Sequence, residues 1–144
     1  QDSGARSAMI RKDRLTPAQR SYCMSRVRGR DTDLERALRG ALHKAGVRFR
    51  KHVAKLPGRP DAVFQKEKVA VFIDGDFWHG YRYPCWRRGL SPFWRTKIET
   101  NRNRDRRNFR RLHNSGWTVV RIWQHQIEAD LELCTARVLR ALDA

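Results

Sequence analysis

Apolar residues in the first third of the chain recur every three or four positions, which is the spacing of an amphipathic helix. In the second of two such segments, Leu34, Leu38 and Leu42 fall on one helical face. Each segment opens on a capping box, in which the first and fourth side chains satisfy free backbone N–H groups. The sequence therefore predicts helices over residues 16–29 and 32–46.

After the second helix the pattern changes to short apolar runs, which are typical of β-strands. These runs lie at 47–49, 62–64 and 69–73. A short charged connection joins the last two runs, so we expect an antiparallel hairpin there.

The second half of the chain alternates between irregular and regular patterns. Residues 74–91 are rich in Trp, Tyr, Arg and Gly and predict a long loop, which in a compact domain is usually functional. A helix over 92–114, a strand at 117–123 and a final helix over 127–142 are predicted to follow. The resulting order, α-α-β-β-β-α-β-α, favours an α/β fold with a mixed central sheet flanked by helices.

Length, charge and cysteine content limit the number of domains and the kinds of partner that this chain can have. A chain of 144 residues is expected to form one domain, here over 15–144, behind a flexible basic tail at 1–14. Lys and Arg total 32 against 15 acidic residues, and the net charge of +17 attracts phosphate backbones. No apolar run is long enough for a transmembrane helix. The three widely spaced cysteines argue against a disulfide framework and favour a reducing, cytoplasmic location.

Positive charge is densest on the helix predicted over 92–114. A helix face exposed only to water usually mixes the two signs, but Glu99 and Asp105 are the only acidic residues in this segment. The excess of arginine therefore favours contact with a nucleic acid over a merely solvated face. The residues expected to make such contacts are Lys97, Asn101, Arg104, Arg106 and Arg107.

Acidic residues lie beside two strands of the predicted sheet. Asp61 follows a Leu-Pro-Gly-Arg-Pro turn at a strand start, and Asp74 and Asp76 lie with His79 after the next strand. Carboxylates at neighbouring strand ends can hold a hard divalent cation, and a nearby histidine can activate water. In so basic a chain, this pattern indicates a metal-dependent enzyme that cleaves phosphodiesters. Taken alone, however, Asp61 could cap a turn and His79 could be an ordinary buried histidine.

The aromatic residues near this cluster also allow two interpretations. Phe77 and Trp78 could be core residues, and Trp94 could anchor the basic helix to the sheet. Alternatively, because they follow the strand where a chain usually leaves the core, these rings could wedge between base pairs or stack on displaced bases. We expect the second role.

Several motifs occur along the chain in one order. They are Asp31-Thr32 with Glu35, Leu56-Pro57-Gly58-Arg59-Pro60-Asp61, Gly75-x-Phe77-Trp78-His79, Phe93-Trp94-x-x-Lys97-Ile98, Asn101, Arg104-Asp105-Arg106-Arg107, Gly116-Trp117 and Trp123. In these motifs the chain resembles the very short patch repair (Vsr) endonuclease family, a divergent branch of the PD-(D/E)XK nuclease fold. The resemblance covers residues 14–128, which is nearly the whole predicted domain.

The resemblance implies an Mg²⁺-dependent endonuclease that nicks duplex DNA on the 5′ side of the thymine in a T:G mismatch. Its partner would be mismatched double-stranded DNA, with no membrane association, and DNA-repair proteins would be further partners. The implied setting is a monomer in the bacterial cytoplasm, associated with the nucleoid.

The same resemblance implies roles for individual residues. Asp61 and the backbone carbonyl of Ile73 would bind Mg²⁺, with Asp74 as a further ligand candidate. His79 would be the general base or proton shuttle for the attacking water. Glu35 and Asp105 would complete the catalytic site. The side chains that would intercalate beside the mismatch are Met24, Phe77, Trp78 and Trp94.

No structural zinc is expected. Asp76, Cys85 and His125 match no compact zinc-ligand spacing. Members of the resembled family that bind zinc carry Cys or His at the positions of Asp76 and Tyr81, and Cys at that of His125. We therefore expect Asp76 and His125 to contact each other directly in place of a metal.

Two other functions remain open at this stage. One is a nicking or restriction-like nuclease with a different DNA target, for example in phage defence, which the missing zinc ligands keep open. The other is a non-catalytic, basic DNA-binding protein. The presence of both Asp61 and His79 argues against the latter, because binding alone needs no carboxylate that faces phosphate.

Overall fold

The computed structural model describes residues 33–144. Its helices and strands, in chain order, are α1 (Asp33–Lys44), β1 (Ala62–Phe64), β2 (Val69–Asp74), α2 (Tyr83–Trp86), a 3₁₀ turn (Arg87–Gly89), α3 (Pro92–Asn114), β3 (Thr118–Trp123), α4 (Gln124–Ala129) and α5 (Leu131–Asp143). The predicted helix over 16–29 and the predicted tail lie outside the described residues. None of the described helices is both long and apolar enough to cross a membrane.

The three strands form one mixed sheet in the order β1-β2-β3. β1 and β2 are antiparallel, as the predicted hairpin requires, and β2 and β3 are parallel. β2 lies between the other two strands, and every one of its residues is buried. Its last residue, Asp74, pairs with Trp123 at the end of β3. The predicted α/β fold with a mixed central sheet and flanking helices is therefore confirmed.

Helices cover both faces of the sheet, and successive β2 side chains explain why. Val69, Val71 and Ile73 belong to a core cluster that includes residues of α1 and α5. Ala70 and Phe72 point the other way and pack in a cluster with Leu112 of α3 and with Trp117. Such alternation is the period of a strand, and here both faces are apolar because both are covered.

Three sequence predictions about elements need correction. No strand forms at 47–49; Arg50 makes a single antiparallel bridge to Val63 instead. The final helix is two helices, because Asp130 has an extended backbone and its carboxylate caps α5 by accepting from the Leu133 N–H at 3.0 Å. The segment 74–91 is not wholly irregular, since it contains α2 and the 3₁₀ turn.

A close backbone approach holds the loop after β2 against α3. Gly80 has a φ of 73°, and a Cβ at this position would lie 2.7 Å from the Arg102 side chain. Only glycine fits such a contact without movement of its neighbour. The loop that carries His79 therefore rests directly on the basic helix.

Candidate active site

A cavity of about 660 Å³ opens at the end of β2, between the sheet and α3. Its wall brings together residues that are far apart in the sequence. Ionisable residues of this wall that matter for the proposed chemistry include Glu35, Asp61, Asp74, His79, Arg104 and Asp105. All four residues that we expected to be catalytic thus line one cavity, together with Ile73 and Trp78.

Asp61 is held in place by β2 through both its backbone and its side chain. Its N–H donates to the Val71 carbonyl at 2.8 Å, and its Oδ2 accepts from the Ile73 N–H at 2.7 Å. The turn before it places Gly58 and Arg59 in the left-handed region, with φ of 81° and 52°. The Asp61 side chain is 9% exposed, so its carboxylate is both buried and oriented.

His52 connects Asp61 to Glu35. Its Nε2 lies 3.4 Å from Oε1 of Glu35 and 3.8 Å from Oδ1 of Asp61. The Glu35 side chain is 2% exposed and also lies 3.8 Å from Nη1 of Arg39. One donor atom from each of Glu35, His52 and Asp61 lies within 4.8 Å of the others, which is close enough to surround a cation. Two carboxylates in such a group favour a hard divalent ion.

His79 lies between two other carboxylates. Its Nδ1 lies 2.8 Å from Oδ2 of Asp105 on α3, and its Nε2 lies 3.5 Å from Oδ1 of Asp74. Burial alone lowers the pKa of His79, but the charges of Asp74 and Asp105 and the bond to Asp105 outweigh it, so the net pKa is raised. This second group can hold and move a proton, and its geometry could also hold a cation.

An arginine joins the two carboxylates around His79. Arg121 of β3 donates from Nε to Oδ2 of Asp74 at 2.7 Å and from Nη2 to Oδ2 of Asp105 at 2.8 Å. Both bonds have the length of charge-assisted hydrogen bonds. The cavity therefore has a buried carboxylate cluster on one side and a histidine between ion-paired carboxylates on the other.

Comparison with known proteins shows which family this arrangement belongs to. The family model "DNA mismatch endonuclease Vsr" matches residues 12–85, which include Glu35, Asp61 and His79. The chain belongs to the Vsr family. It is therefore a DNA endonuclease, as the motifs implied, and its fold agrees with the PD-(D/E)XK nuclease core.

Similar curated proteins support the same assignment. The type II nicking enzyme V.XorIIP of Xanthomonas oryzae pv. oryzae is 41% identical over 133 residues, covering 91% of this chain and 97% of that protein. The type II nicking enzyme V.NmeDIP of Neisseria meningitidis serogroup C is 40% identical over 133 residues, covering 90% of each. The DNA mismatch endonuclease Vsr of Escherichia coli K12 is 38% identical over 112 residues, covering 74% of this chain and 70% of that protein.

The aromatic residues of this Vsr-family chain differ in exposure. Phe77 is 7% exposed and stacks on Trp86 at 5.5 Å, so the expectation that it lies outside the core is wrong. Trp78 and Trp94 are half-buried, and their rings meet edge to face at 5.9 Å. The most exposed ring in this group is Phe93, which is 58% exposed beside Trp94. Met24 lies outside the described residues.

The residues expected to contact DNA from α3 also divide into two groups. Lys97, Arg106 and Arg107 are exposed, and Arg104 is exposed at the cavity wall. The amide of Asn101, in contrast, is buried and donates to the carbonyl of Trp78 at 3.0 Å, so it holds the loop that carries the aromatic rings. Exposed positive charge thus lies along α3, and Arg104 brings it to the cavity wall, in an enzyme whose substrate is a polyanion.

The loop after β2 is tied to α4 by a direct polar contact. Nδ1 of His125 lies 2.8 Å from Oδ1 of Asp76, which confirms the contact expected from the sequence. The ring of Tyr81 packs against that of His125 at 4.4 Å. Cys85 is exposed, and neither of the two potential metal-binding groups found within residues 33–144 includes it, Asp76 or His125.

Sequence reasoning missed two residues of the site. His52 lies in a segment without regular periodicity, and its left-handed backbone (φ 51°) is visible only in the structure. Arg121 carried a signal, because a charged residue inside an apolar strand needs a buried or half-buried partner. The structure supplies two such partners, Asp74 and Asp105.

Proposed function

We propose that this Vsr-family endonuclease nicks duplex DNA on the 5′ side of the thymine in a T:G mismatch, in an Mg²⁺-dependent reaction. The observation that supports the proposal most directly is the shared cavity. Asp61 and His79, which reach it from different elements, face one space beside exposed arginines. A phosphodiester bound there would meet a metal ligand on one side and a proton acceptor on the other.

The donor atoms around Asp61 fit Mg²⁺. The ion prefers oxygen ligands and usually keeps several waters, so one or two protein carboxylates suffice. Asp61 would hold it with the Ile73 carbonyl, while Glu35 and His52 would orient Asp61 and bound water. Asp74 is less suited as a ligand, because its two oxygens already face Arg121 and His79. Bound Mg²⁺ would neutralise the scissile phosphate and lower the pKa of coordinated water.

His79 would accept the proton of the attacking water. A carboxylate can only accept hydrogen bonds, so the 2.8 Å contact with Asp105 places a proton on Nδ1 of neutral His79 and leaves Nε2 as the acceptor. The raised pKa makes this nitrogen a stronger base, and a general base works best when its pKa is near the working pH. Asp105 would thus act as the residue that orients the base.

Mismatch selectivity would come from the cost of opening the duplex. Insertion of a ring between base pairs unstacks them at a cost of about a few kcal/mol, and the cost is lower where pairing is already weak. Trp78 and Trp94, joined by Met24, would supply this wedge. Arginines of α3 would hold the flanking phosphates without reading sequence.

A cleavage assay tests the proposal. Labelled duplexes with and without one T:G pair are incubated with the protein in Mg²⁺ or in EDTA, and the nick is mapped on both strands. The proposal requires nicking of the T strand, 5′ of the thymine, that depends on Mg²⁺ and on the mismatch. Equal cleavage of matched duplex, or full activity in EDTA, would contradict it.

A second candidate keeps the nicking activity and changes the target. Two of the relatives described above are called type II nicking enzymes and not mismatch endonucleases, which supports this second candidate. The same assay separates the two, because the first candidate requires a T:G pair, whereas a nuclease with a different target would nick matched duplex that contains that target.

A further inference from the structure

Arg121 joins three elements at the back of the proposed catalytic histidine. It belongs to β3, while its partners Asp74 and Asp105 belong to β2 and α3. Its neighbours in the strand, Val120 and Ile122, pack in the main core on the opposite face. The alternation of the strand therefore directs the Arg121 side chain toward α3 and the cavity.

The bond to Asp105 bears on His79 because both donors use one oxygen. Oδ2 of Asp105 lies 2.8 Å from Nη2 of Arg121 and 2.8 Å from Nδ1 of His79. A carboxylate bound on one side only can rotate about its own axis, whereas a second donor in a fixed position limits that rotation. The orientation of His79 therefore depends on where Arg121 holds this oxygen.

Arg121 is itself held by the rings around it. Its guanidinium carbon lies 4.1 Å from the centre of the Trp123 ring and 4.9 Å from that of Phe109. These are cation–π distances, which favour a planar guanidinium over an ammonium group. Arg121 is not part of the cavity wall, whereas Asp74, His79 and Asp105 are. It stands behind the carboxylates rather than facing the substrate.

We propose that Arg121 is a positioning residue that orients Asp105 and, through it, the Nδ1 proton of His79. Its guanidinium also places one positive charge between the negative charges of Asp74 and Asp105, with hydrogen bonds to both. The inference rests on the proton-accepting role proposed above for His79. The competing role for Arg121, direct contact with a DNA phosphate, makes opposite predictions for binding.

Three arginine variants separate these roles. Arg121→Met removes the charge and the guanidinium that donates to both carboxylates, but it keeps much of the packing. Arg121→Lys keeps the charge but has no planar group that can donate to both carboxylates in the same way. Arg137→Met is the matched control, because Arg137 is a half-buried arginine that bonds to the Arg121 carbonyl and Gln126 without touching the carboxylates. Thermal unfolding identifies any variant that does not fold, and Arg121→Lys then carries the test.

Two readouts are needed, one of them independent of catalysis. Nitrogen-15 NMR of metal-free protein reports which ring nitrogen of His79 carries the proton. Single-turnover nicking of T:G duplex reports the rate, and a binding assay in EDTA reports the Kd for the same DNA. We expect the Nδ1 proton of His79 to lose its fixed position in both Arg121 variants, so that its NMR signal weakens or broadens. We also expect nicking to slow on the order of 10- to 100-fold, with Kd changed less than about threefold.

The opposing outcomes are also defined. An unchanged Nδ1 signal in Arg121→Met and Arg121→Lys would overturn the inference, as would a loss of DNA affinity as large as the loss of rate. An equal effect of Arg137→Met would assign the change to general loosening of β3 and would also overturn it. His79→Ala tests the underlying role: if it nicks at the wild-type rate, the proposed function of His79 fails, whatever the NMR signal of the Arg121 variants.

Discussion

The carboxylate of Asp61 accepts a hydrogen bond from the backbone N–H of Ile73 at 2.7 Å. This bond crosses from the start of β1 to the end of β2, next to the antiparallel backbone bond from Asp61 to Val71. The sheet thus orients one oxygen of the carboxylate and leaves the other near His52. A ligand fixed before a cation arrives loses little conformational entropy when the cation binds.

His52 should contribute to metal affinity without being required for the fold. Removal of its ring in His52→Ala takes away the group between Glu35 and Asp61, so both carboxylates become freer to turn. We expect Mg²⁺ affinity to fall about 10- to 100-fold, the usual effect of losing a residue that orients a metal ligand. Titration calorimetry with Mg²⁺ measures this, and His113→Ala at the exposed end of α3 is the control. Equal affinity in the two variants would contradict the role.

The pKa of His79 should be raised in metal-free protein. Its two carboxylate neighbours outweigh burial, so NMR titration in EDTA should give a value above 6.5, and Asp105→Asn should lower it. Because the pKa is raised by folding, the associated stabilisation is fully present below about pH 6.5 and is lost as pH rises through the folded value. The difference in free energy of unfolding between wild type and His79→Gln should therefore be larger in acid. A difference that grows with pH would refute the assignment.

Phe77 and Phe93 should differ in how much they contribute to stability. Phe77 is buried among Tyr83, Leu90 and Ile98, so Phe77→Ala should lower the free energy of unfolding by about 3–5 kcal/mol. Phe93 is largely exposed, and Phe93→Ala should change stability by less than about 0.5 kcal/mol. Urea unfolding compares the two. Similar losses in both variants would contradict the packing role assigned to Phe77.

The contact between Asp76 and His125 should make zinc dispensable. Oδ1 of Asp76 is already bonded to Nδ1 of His125, and Cys85 lies exposed outside the potential metal-binding groups found in the described residues. Protein stripped of metal, refolded with zinc and passed over a desalting column should retain no stoichiometric zinc by mass spectrometry. Its thermal midpoint should equal that of protein refolded without zinc. One tightly held zinc per chain would contradict this prediction.

The sequence predicted those helices and strands whose apolar pattern follows directly from their own burial in the core. β2 was predictable because a strand covered on both faces is a continuous apolar run, and α3 because Ser91 and Pro92 mark its start. The prediction of a strand at 47–49 was wrong, because Val47 and Phe49 pack against the main core without joining the sheet. The break at Asp130 followed from a capping side chain, which periodicity does not report.

The site was predictable where chemistry is carried by a local motif. Asp61 and His79 each lie in a distinctive short segment, and the structure places both in one cavity. The burial of Phe77 was not predictable, because it depends on Trp86 and Tyr83 in a loop whose path no local pattern defines. His52 was equally hidden, since its role follows from distances to residues 17 and 9 positions away along the chain.

The most direct test is the nicking rate of Asp61→Asn on T:G duplex under single-turnover conditions in Mg²⁺, measured with the Kd for the same DNA. Asparagine can still accept from the Ile73 N–H, so the fold should persist while the anionic ligand is lost. We predict a rate at least about 1,000-fold below wild type, since a bound metal supplies several kcal/mol of transition-state stabilisation, with Kd nearly unchanged. Nicking by Asp61→Asn within about tenfold of the wild-type rate would show that this cavity is not the active site.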